Sequence, residues 1–351
     1  MKKTVTLLGL CVCFFTSWSQ TDVASAIQEG IVLHDKGDYD AAIGKYDIAL
    51  RFDVSSHKAR YEKSLSLMSL KKYHEAEQLL KQVLKEAKDP EYRRLAYVNY
   101  GTIKDYQGLP HESLKIYNKG IKEFPENFLL HFNKGITLNG LGKKDESIAS
   151  FKNSVRLNPQ HASSHHAVAW LTSSENRIPR LLSLFSFLLL ESQGKRATQN
   201  ANELNRLLTQ NIKKNENGNV TINISMDMLD AKENKRKEDD FSTANLMLAL
   251  LFSDSKVEDS LRLKTTADKL GYKFQMIIDA ISENNEKSKG FFRNFYVPMV
   301  KEMKEKEFVT TACYIALKST NDSDITTWLG ENSEKIDSFY AWFENYQWTK
   351  R

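Results

Sequence analysis

The sequence repeats itself with a period of 34 residues, and this self-similarity restricts the fold more than any other feature. Each copy has a small residue, then a turn, then small and aromatic residues at fixed intervals. The four aligned sets are Gly30, Gly37, Tyr39, Ala42, Tyr46, Ala49 and Leu50; Ser64, Lys71, Tyr73, Ala76, Leu80, Val83 and Leu84; Gly101, Gly108, Pro110, Ser113, Tyr117, Gly120 and Ile121; and Gly135, Gly142, Lys144, Ser147, Phe151, Ser154 and Val155. The third copy is offset by three residues, and a fifth begins at Ala162 before the pattern is lost. Such a repeat predicts an array of similar structural units.

Each copy is predicted to form two antiparallel helices, because its apolar residues recur at intervals of three and four. Small residues such as Gly30, Ala42 and Gly101 are expected where two helices cross closely. Pro125 and Pro159 cannot continue a helix interior, so they are expected to end the second helices of copies three and four. Since one helix pair cannot bury its own apolar stripe, the copies are expected to stack into a solenoid.

These residues resemble the tetratricopeptide repeat family in repeat length, in the small residue of the first helix, in the Gly-x-Tyr-x-x-Ala turn and in the closing proline. The resemblance covers about Val23 to Ser174. Pro110 and Lys144 depart from it, since the family has an aromatic residue at that place of the turn. The resemblance implies an all-α, right-handed helical solenoid whose long concave groove binds proteins or peptides.

The N-terminal residues are predicted to be a cleaved signal peptide. Two lysines precede the apolar run Thr4–Phe15, and small residues follow at Ser17 and Ser19. Cleavage after Ser19 would remove residues 1–19, make Gln20 the mature N-terminus and place the protein outside the cytoplasm, in the periplasm or secreted. The apolar run is shorter than the roughly 20 residues that cross a bilayer, so no integral membrane span is expected.

The repeats are predicted to end near residue 192. The run Leu181–Leu190 is apolar on nearly every side, so other elements must cover it, and its length of about 15 Å is too short to cross a membrane. We therefore predict a solenoid of four repeats and a degenerate fifth over residues 20–192. A helical extension over residues 193–351 is expected to follow and to cap it.

The extension is predicted to be mostly helical, with room for one short β-hairpin. Val220–Ile224 alternates in the manner of a strand, and a hairpin is expected only if Ser225–Leu229 returns beside it. Lys232–Asp240 is predicted to be a solvated loop. The predicted helices are Asn200–Asn211, Ser242–Ser253, Val257–Leu270, Tyr272–Asn284, Gly290–Lys304, Glu307–Lys318 and Ile325–Gln347.

Few residues in this sequence suggest chemistry. There is no phosphate-binding loop, no Gly-x-Ser-x-Gly elbow and no His-Glu-x-x-His motif. His161 and His165 stand four residues apart, but no further metal ligand follows at motif spacing. Cys313 has no histidine nearby in the sequence and is predicted to be buried. We predict no enzyme activity, no cofactor and no metal site, and the small net charge of +5 argues against a nucleic-acid partner.

The resemblance also implies which residues would contact a partner, because the first helices line the groove in this family. Asn99 and Asn133 occupy one slot in neighbouring copies, an asparagine ladder whose amides would bind a passing peptide backbone. The alternative is that both are merely solvated. Lys58 alone matches the charged clamp that holds a C-terminal carboxylate, so carboxylate capture is not expected. The predicted groove residues are Asn99, Asn133, Tyr61, Leu65, Tyr106, Phe132, Ile136, His166 and Trp170, with Ile27, Ile31 and Val98 also facing inward.

Three functions remain open on this evidence. The first is a non-enzymatic exported scaffold that binds an extended peptide or a protein in the groove. The second is a structural role in the envelope, with the C-terminal extension as the assembling surface. Separately, the overall arrangement of the chain is similar to exported tetratricopeptide proteins of the Bacteroidetes. The third is a carbohydrate-binding or hydrolytic protein that uses the C-terminal aromatic residues on a flat strip. These residues are Phe339, Tyr340, Trp342, Phe343, Tyr346 and Trp348.

Overall fold

The structure is a computed structural model that describes residues 8–173, 176–209, 212–214, 220–222, 239, 241, 244–245, 263–282 and 290–348. Its contacts group into two compact units, unit 1 over Met1–Ser147 and unit 2 over Ile148–Arg351, and each is described by itself. This division falls inside the fourth repeat. The predicted end of the solenoid near residue 192 stays a prediction.

Unit 1 consists of stacked helix pairs, as the repeat predicts. Each helix packs on the next, and the first helices of successive pairs also contact one another: α1 with α3, α3 with α5, and α5 with α7. The helices are α1 (Leu8–Asp35), α2 (Tyr39–Phe52), α3 (His57–Ser69), α4 (Tyr73–Glu86), α5 (Pro90–Tyr106), α6 (Pro110–Glu123) and α7 (Phe128–Gly140), and α8 (Lys144–Leu157) continues into unit 2. The predicted all-α solenoid is confirmed.

The helix ends follow from local chemistry. Ser56 accepts a hydrogen bond from the Ala59 amide at the start of α3, and Asn127 accepts from two amides at the start of α7. Pro110, which departs from the family pattern, lies at the first position of α6, where its missing N–H costs nothing. Three turns between paired helices use a glycine with positive φ, whereas the second copy has Lys71 at a φ of 59°.

The tightest helix crossings in unit 1 pair a glycine with a tyrosine. The Tyr46 ring of α2 covers Gly30 of α1, and a Cβ added at Gly30 would lie 2.5 Å from the ring. The Tyr117 ring of α6 covers Gly101 of α5 in the same way, where the added Cβ would lie at 2.2 Å. Both rings are buried. The expectation that these glycines mark close crossings is confirmed, and the approaching group is an aromatic ring.

Substituting Gly101→Ala should destabilise unit 1 by about 1–3 kcal/mol, because the new methyl group overlaps the buried Tyr117 ring. Gly44→Ala is the matched control, since Gly44 lies in a helix with nothing near its missing side chain. That substitution should stabilise by about 0.5–1 kcal/mol through helix propensity alone. Urea unfolding followed by circular dichroism measures both, and equal effects of the two changes would contradict the packing described here.

Unit 2 is also helical apart from one short hairpin. Its elements after α8 are α9 (Ala162–Leu171), α10 (Arg177–Leu190), α11 (Lys195–Thr209), β1 (Ile212–Lys214), β2 (Val220–Ile222), α12 (Thr266–Ser282), α13 (Phe291–Glu305), α14 (Val309–Ala316), a 3-10 turn at Lys318–Thr320, α15 (Ser323–Glu331) and α16 (Ser333–Glu344). Helix α10 is buried from Arg177 to Leu189 and contacts α9, α11, α13 and α14. The expectation that C-terminal elements cover this apolar helix is confirmed. Cys313, as expected, is buried.

Three features of unit 2 differ from the sequence-based expectations. Strand β2 pairs antiparallel with β1, which precedes it in the chain. The expectation that a hairpin requires Ser225–Leu229 as its second strand is therefore wrong. Helix α12 runs through Gly271 without a break, and a Cβ added at this position would make only ordinary van der Waals contact with Thr310. The predicted helix Ile325–Gln347 is two helices separated at Asn332. Residues 225–229, together with most of the predicted loop Lys232–Asp240 and helices Ser242–Ser253 and Val257–Leu270, lie outside the described residues.

The stability of unit 2 is expected to depend on pH through the buried His165. Its Nδ1 lies 2.8 Å from the Tyr296 hydroxyl and its Nε2 lies 2.8 Å from the Pro159 carbonyl oxygen. Burial lowers the pKa of His165 from 6.5 to about 4. A group whose pKa falls on folding contributes stability that is complete above its unfolded pKa and is lost as the pH falls towards the folded value.

We therefore expect the thermal midpoint of unit 2 to decrease as the pH is lowered from 6.5 to 4. Over this range the free energy of unfolding should decrease by about 1.4 kcal/mol per pH unit because of His165. His165→Gln keeps a donor and an acceptor but does not titrate, so its midpoint should fall less over the same range. Calorimetry at several pH values measures this. An identical pH dependence in the two proteins would show that His165 is not the titrating group.

Candidate functional site in unit 1

The first helices of unit 1 form a continuous surface, which we call the first-helix face. With the repeated small residue counted as place eight, this face comprises places 2, 5, 6, 9, 12 and 13 of each first helix. Its residues are Ala24, Ile27, Gln28, Ile31, His34 and Asp35 on α1; Lys58, Tyr61, Glu62, Leu65, Met68 and Ser69 on α3; Leu95, Val98, Asn99, Thr102, Asp105 and Tyr106 on α5; and Leu129, Phe132, Asn133, Ile136, Asn139 and Gly140 on α7. The structure therefore brings together the unit 1 residues that the sequence assigned to a groove.

The two asparagines join neighbouring first helices. Asn99 Nδ2 donates to the Tyr61 hydroxyl over 2.9 Å, and Asn133 Nδ2 donates to Thr102 Oγ1 over 3.2 Å. Among the described residues, each amide keeps its carbonyl oxygen and one N–H without a partner. The amides are thus held in place by one bond each and retain one acceptor and one donor. Neither asparagine is merely solvated.

The tyrosines that cover the two glycines bring hydroxyl groups to the same face. The Tyr117 hydroxyl donates to Asp105 over 3.2 Å and also lies 3.2 Å from Thr102 Oγ1. Thr137 of α7 donates to the same Asp105 carboxylate over 2.7 Å. In the first copy the equivalent pair, His34 and Ser66, is joined over 2.8 Å. These bonds fix the spacing of α1 against α3 and of α5 against α7.

One acidic side chain of this face, Glu62, was missed by the sequence reasoning. It occupies the same place in the second copy that Asn99 and Asn133 occupy later. The side chain is half-buried, and no described residue forms an ion pair or hydrogen bond with its carboxylate. Burial raises the pKa of Glu62, Lys58 opposes the shift, and Asp35 adds to it. The alignment of Glu62 with Asn99 and Asn133 in the repeat is the sequence feature that could have identified this carboxylate.

Apolar groups on the first-helix face differ widely in exposure. Tyr106 is 61% exposed and Ile136 is 51% exposed, whereas Leu65 and Phe132 are half-buried. Tyr61 is only 8% exposed, which corrects its expected role as an anchor for a partner. Its hydroxyl instead supports Asn99, and its ring lies 6.2 Å from that of Tyr92.

The remaining predicted groove residues, His166 and Trp170, lie in unit 2. Trp170 is 47% exposed, its indole N–H donates to Asn200 over 2.9 Å, and the Arg180 guanidinium lies over its ring. The half-buried His166 packs against the rings of Trp170 and Phe187. Both side chains are thus held by contacts within unit 2.

The other candidate sites receive little support. In the part of the chain that the structure describes, no three His, Cys, Asp or Glu side chains come together as metal ligands. His165 is buried with both nitrogens engaged, so it cannot share a metal with His161. Phe339 and Phe343 are buried, and the other C-terminal aromatics are half-buried with rings meeting at steep angles, as in Tyr346 against Trp348 at 89°. They do not form the exposed flat strip that carbohydrate stacking requires.

Comparisons with known proteins agree with the repeat. Residues 27–92 and residues 130–161 each match a tetratricopeptide repeat family model. The chain therefore contains tetratricopeptide repeats over these residues. None of the curated proteins matches it. No helix among the described residues has both the length and the apolar character needed to cross a membrane.

Several solved structures are similar to part of the chain. PilF of Pseudomonas aeruginosa is 19% identical over 54% of this chain and 85% of its own, with a TM-score of 0.47. TTC0263 of Thermus thermophilus, a tetratricopeptide-repeat protein, is 19% identical over 53% and 98%, with a TM-score of 0.41. YrrB, described as having an unusual peptide-binding site, is 20% identical over 48% and 85%, with a TM-score of 0.35. At such scores the function must be argued from this chain's own residues.

The carboxylate of Glu62 yields a prediction about stability. Because its pKa is raised on folding, its ionisation at pH 7 opposes folding, and this cost disappears as the pH falls below the unfolded pKa near 4.5. Glu62→Gln should therefore raise the thermal midpoint at pH 7 by roughly 1 °C or more and have no such effect near pH 4. Glu75→Gln, on the exposed surface of α4, is the control and should change neither. A lower midpoint for Glu62→Gln at pH 7 would mean that the carboxylate is paired.

Proposed function

We propose that this protein is a non-enzymatic scaffold that holds an extended polypeptide on the first-helix face of unit 1. The observation that carries the proposal is the pair of asparagine amides at one place in successive copies. Each is oriented by a bond to the preceding first helix and keeps one donor and one acceptor unpartnered among the described residues. The tetratricopeptide repeat itself favours a protein-interaction scaffold over an enzyme.

An extended peptide matches these groups. Its backbone presents N–H and C=O groups along both edges, so an amide that offers one donor and one acceptor can bind it whatever its sequence. Side chains of the peptide would then cover Tyr106 and Ile136, the two large exposed apolar groups on the face. Aromatic groups contribute strongly to binding because they bury much surface at a small entropic cost.

Export is a separate part of the proposal. It is supported by the lysines, the apolar run Thr4–Phe15 and the small residues at Ser17 and Ser19. The protein would then meet its partner in the periplasm or outside the cell. We expect protein isolated from its native host to begin at Gln20 and to carry no lipid. N-terminal sequencing and intact mass measure this, and a mature chain that starts at Cys11 or Cys13 would disprove it.

The binding proposal is tested with random 12-residue peptides selected by display on the purified protein. The affinity of the enriched peptides is then measured by fluorescence anisotropy. The double variant Asn99→Ala/Asn133→Ala should weaken binding by about tenfold or more, since it removes one or two hydrogen bonds per peptide. Tyr106→Ala should weaken it by a similar factor, through lost apolar contact.

Two control variants match these changes. Asn118 is an exposed asparagine on the second helix α6, and Phe52, 56% exposed at the end of α2, is the aromatic counterpart of Tyr106. Asn118→Ala and Phe52→Ala should leave the affinity within a factor of two. Peptides that bind all variants equally, or that bind none of them, would place the working surface elsewhere.

A further inference from the structure

The first-helix face of unit 1 has a charge opposite to that of the whole chain. The sequence as a whole has a net charge of +5. The face carries three carboxylates, on Asp35, Glu62 and Asp105, against the single ammonium group of Lys58, which leaves −3 + 1 = −2. Surfaces of such charge attract segments of the opposite sign.

None of these three carboxylates forms an ion pair among the described residues, whereas Glu77 and Glu123, elsewhere in unit 1, do. Glu77 pairs with Lys81 and Lys104, and Glu123 pairs with Arg93. By contrast, the Asp105 carboxylate accepts only from hydroxyl groups, and Glu62 has no hydrogen-bond partner. A half-buried carboxylate without a partner is costly to keep, which suggests that it is completed by a ligand.

A second observation lies between α1 and α3. Tyr46 is fully buried, and its hydroxyl has no hydrogen-bond partner among the described residues, although Ser66, already bonded to His34, lies beside it. The negative charges of Glu62 and Asp35 act on this hydroxyl and help to raise the pKa of Tyr46, after burial. This buried hydroxyl at the junction of α1 and α3 therefore experiences the negative charge of both carboxylates.

Aromatic rings complete the surroundings of Glu62. The rings of Tyr61 and Tyr92 lie 6.2 Å apart, and the Glu62 charge contributes, after burial, to the raised pKa of both tyrosines. A carboxylate beside aromatic rings suits a cationic group, which gains from the charge and from the π-electrons of the rings.

We infer that the bound polypeptide is basic, and that one of its Lys or Arg side chains pairs with Glu62 and Asp35 between α1 and α3. This inference rests on the proposed function, because it names the partner of the same face. The asparagine amides hold the backbone, and the Glu62 carboxylate selects the charge of one side chain. Lys58 precedes Glu62 by one turn of α3, and its charge opposes the rise in the pKa of Glu62.

The test uses the same displayed random 12-residue peptides. Peptides selected on the wild-type protein should be enriched about fivefold or more in Lys and Arg at one position relative to the starting library. On Glu62→Gln this enrichment should fall to the library level, and on Asp35→Asn it should decrease. On Glu75→Gln, which removes a carboxylate from the outer helix α4, it should persist. Wild-type selection without enrichment, or enrichment that survives Glu62→Gln, would overturn the inference.

One enriched peptide then gives a direct measurement. Replacing its selected Arg with citrulline, or its Lys with norleucine, removes the charge at similar size and should weaken binding to the wild-type protein about tenfold. The same replacement should change binding to Glu62→Gln less than twofold. If the asparagine double variant abolishes binding while the charge replacement has no effect, the scaffold proposal stands and the charge inference fails. If no peptide depends on Asn99, Asn133 or Glu62, both fail.

Discussion

Unit 1 depends on how closely its second helices approach its first helices, and two glycines decide that distance. Gly30 and Gly101 have no side chain where the rings of Tyr46 and Tyr117 cross them. Any larger residue would push the helices apart. The short approach also lets the tyrosine hydroxyls extend past the crossing to the first-helix face, where the Tyr117 hydroxyl bonds to Asp105. A packing contact thereby becomes part of the candidate binding surface.

These polar junctions alternate along the solenoid. In the first and third copies a tyrosine reaches the face beside polar residues of the next first helix, Ser66 and Thr137 respectively. In the second copy the equivalent place holds Leu80, which is buried in an apolar cluster with Ile103. The α3–α5 junction therefore relies on apolar packing and on the Asn99–Tyr61 hydrogen bond at the surface. Such an arrangement holds the face rigid while leaving acceptors and charges available for a ligand.

The helices of unit 1 could be predicted because the repeat places the same apolar spacing in several copies, and the ends at Pro125 and Pro159 follow from proline alone. The burial of Tyr61 could not be predicted, since it depends on the ring of Tyr92 in the next copy. Glu62 was missed because the three-residue offset before the third copy hides its alignment with Asn99. In unit 2, no repeat constrained the interpretation. The Asn217-Gly218 turn signal favours pairing of Val220–Ile222 with the preceding residues. Gly271 resembles a helix break in the sequence, although it lies inside one continuous helix.

Binding of the partner to the first-helix face of unit 1 can be observed directly. The most direct measurement records the side-chain amide resonances of Asn99, Asn133 and Asn118 by NMR while an enriched peptide is added. The resonances of Asn99 and Asn133 are expected to shift with the bound fraction, and those of Asn118, on the second helix α6, are expected to stay unchanged. Unchanged resonances of Asn99 and Asn133, with shifts confined to Asn118 or to the indole N–H of Trp170 in unit 2, would contradict binding to this face.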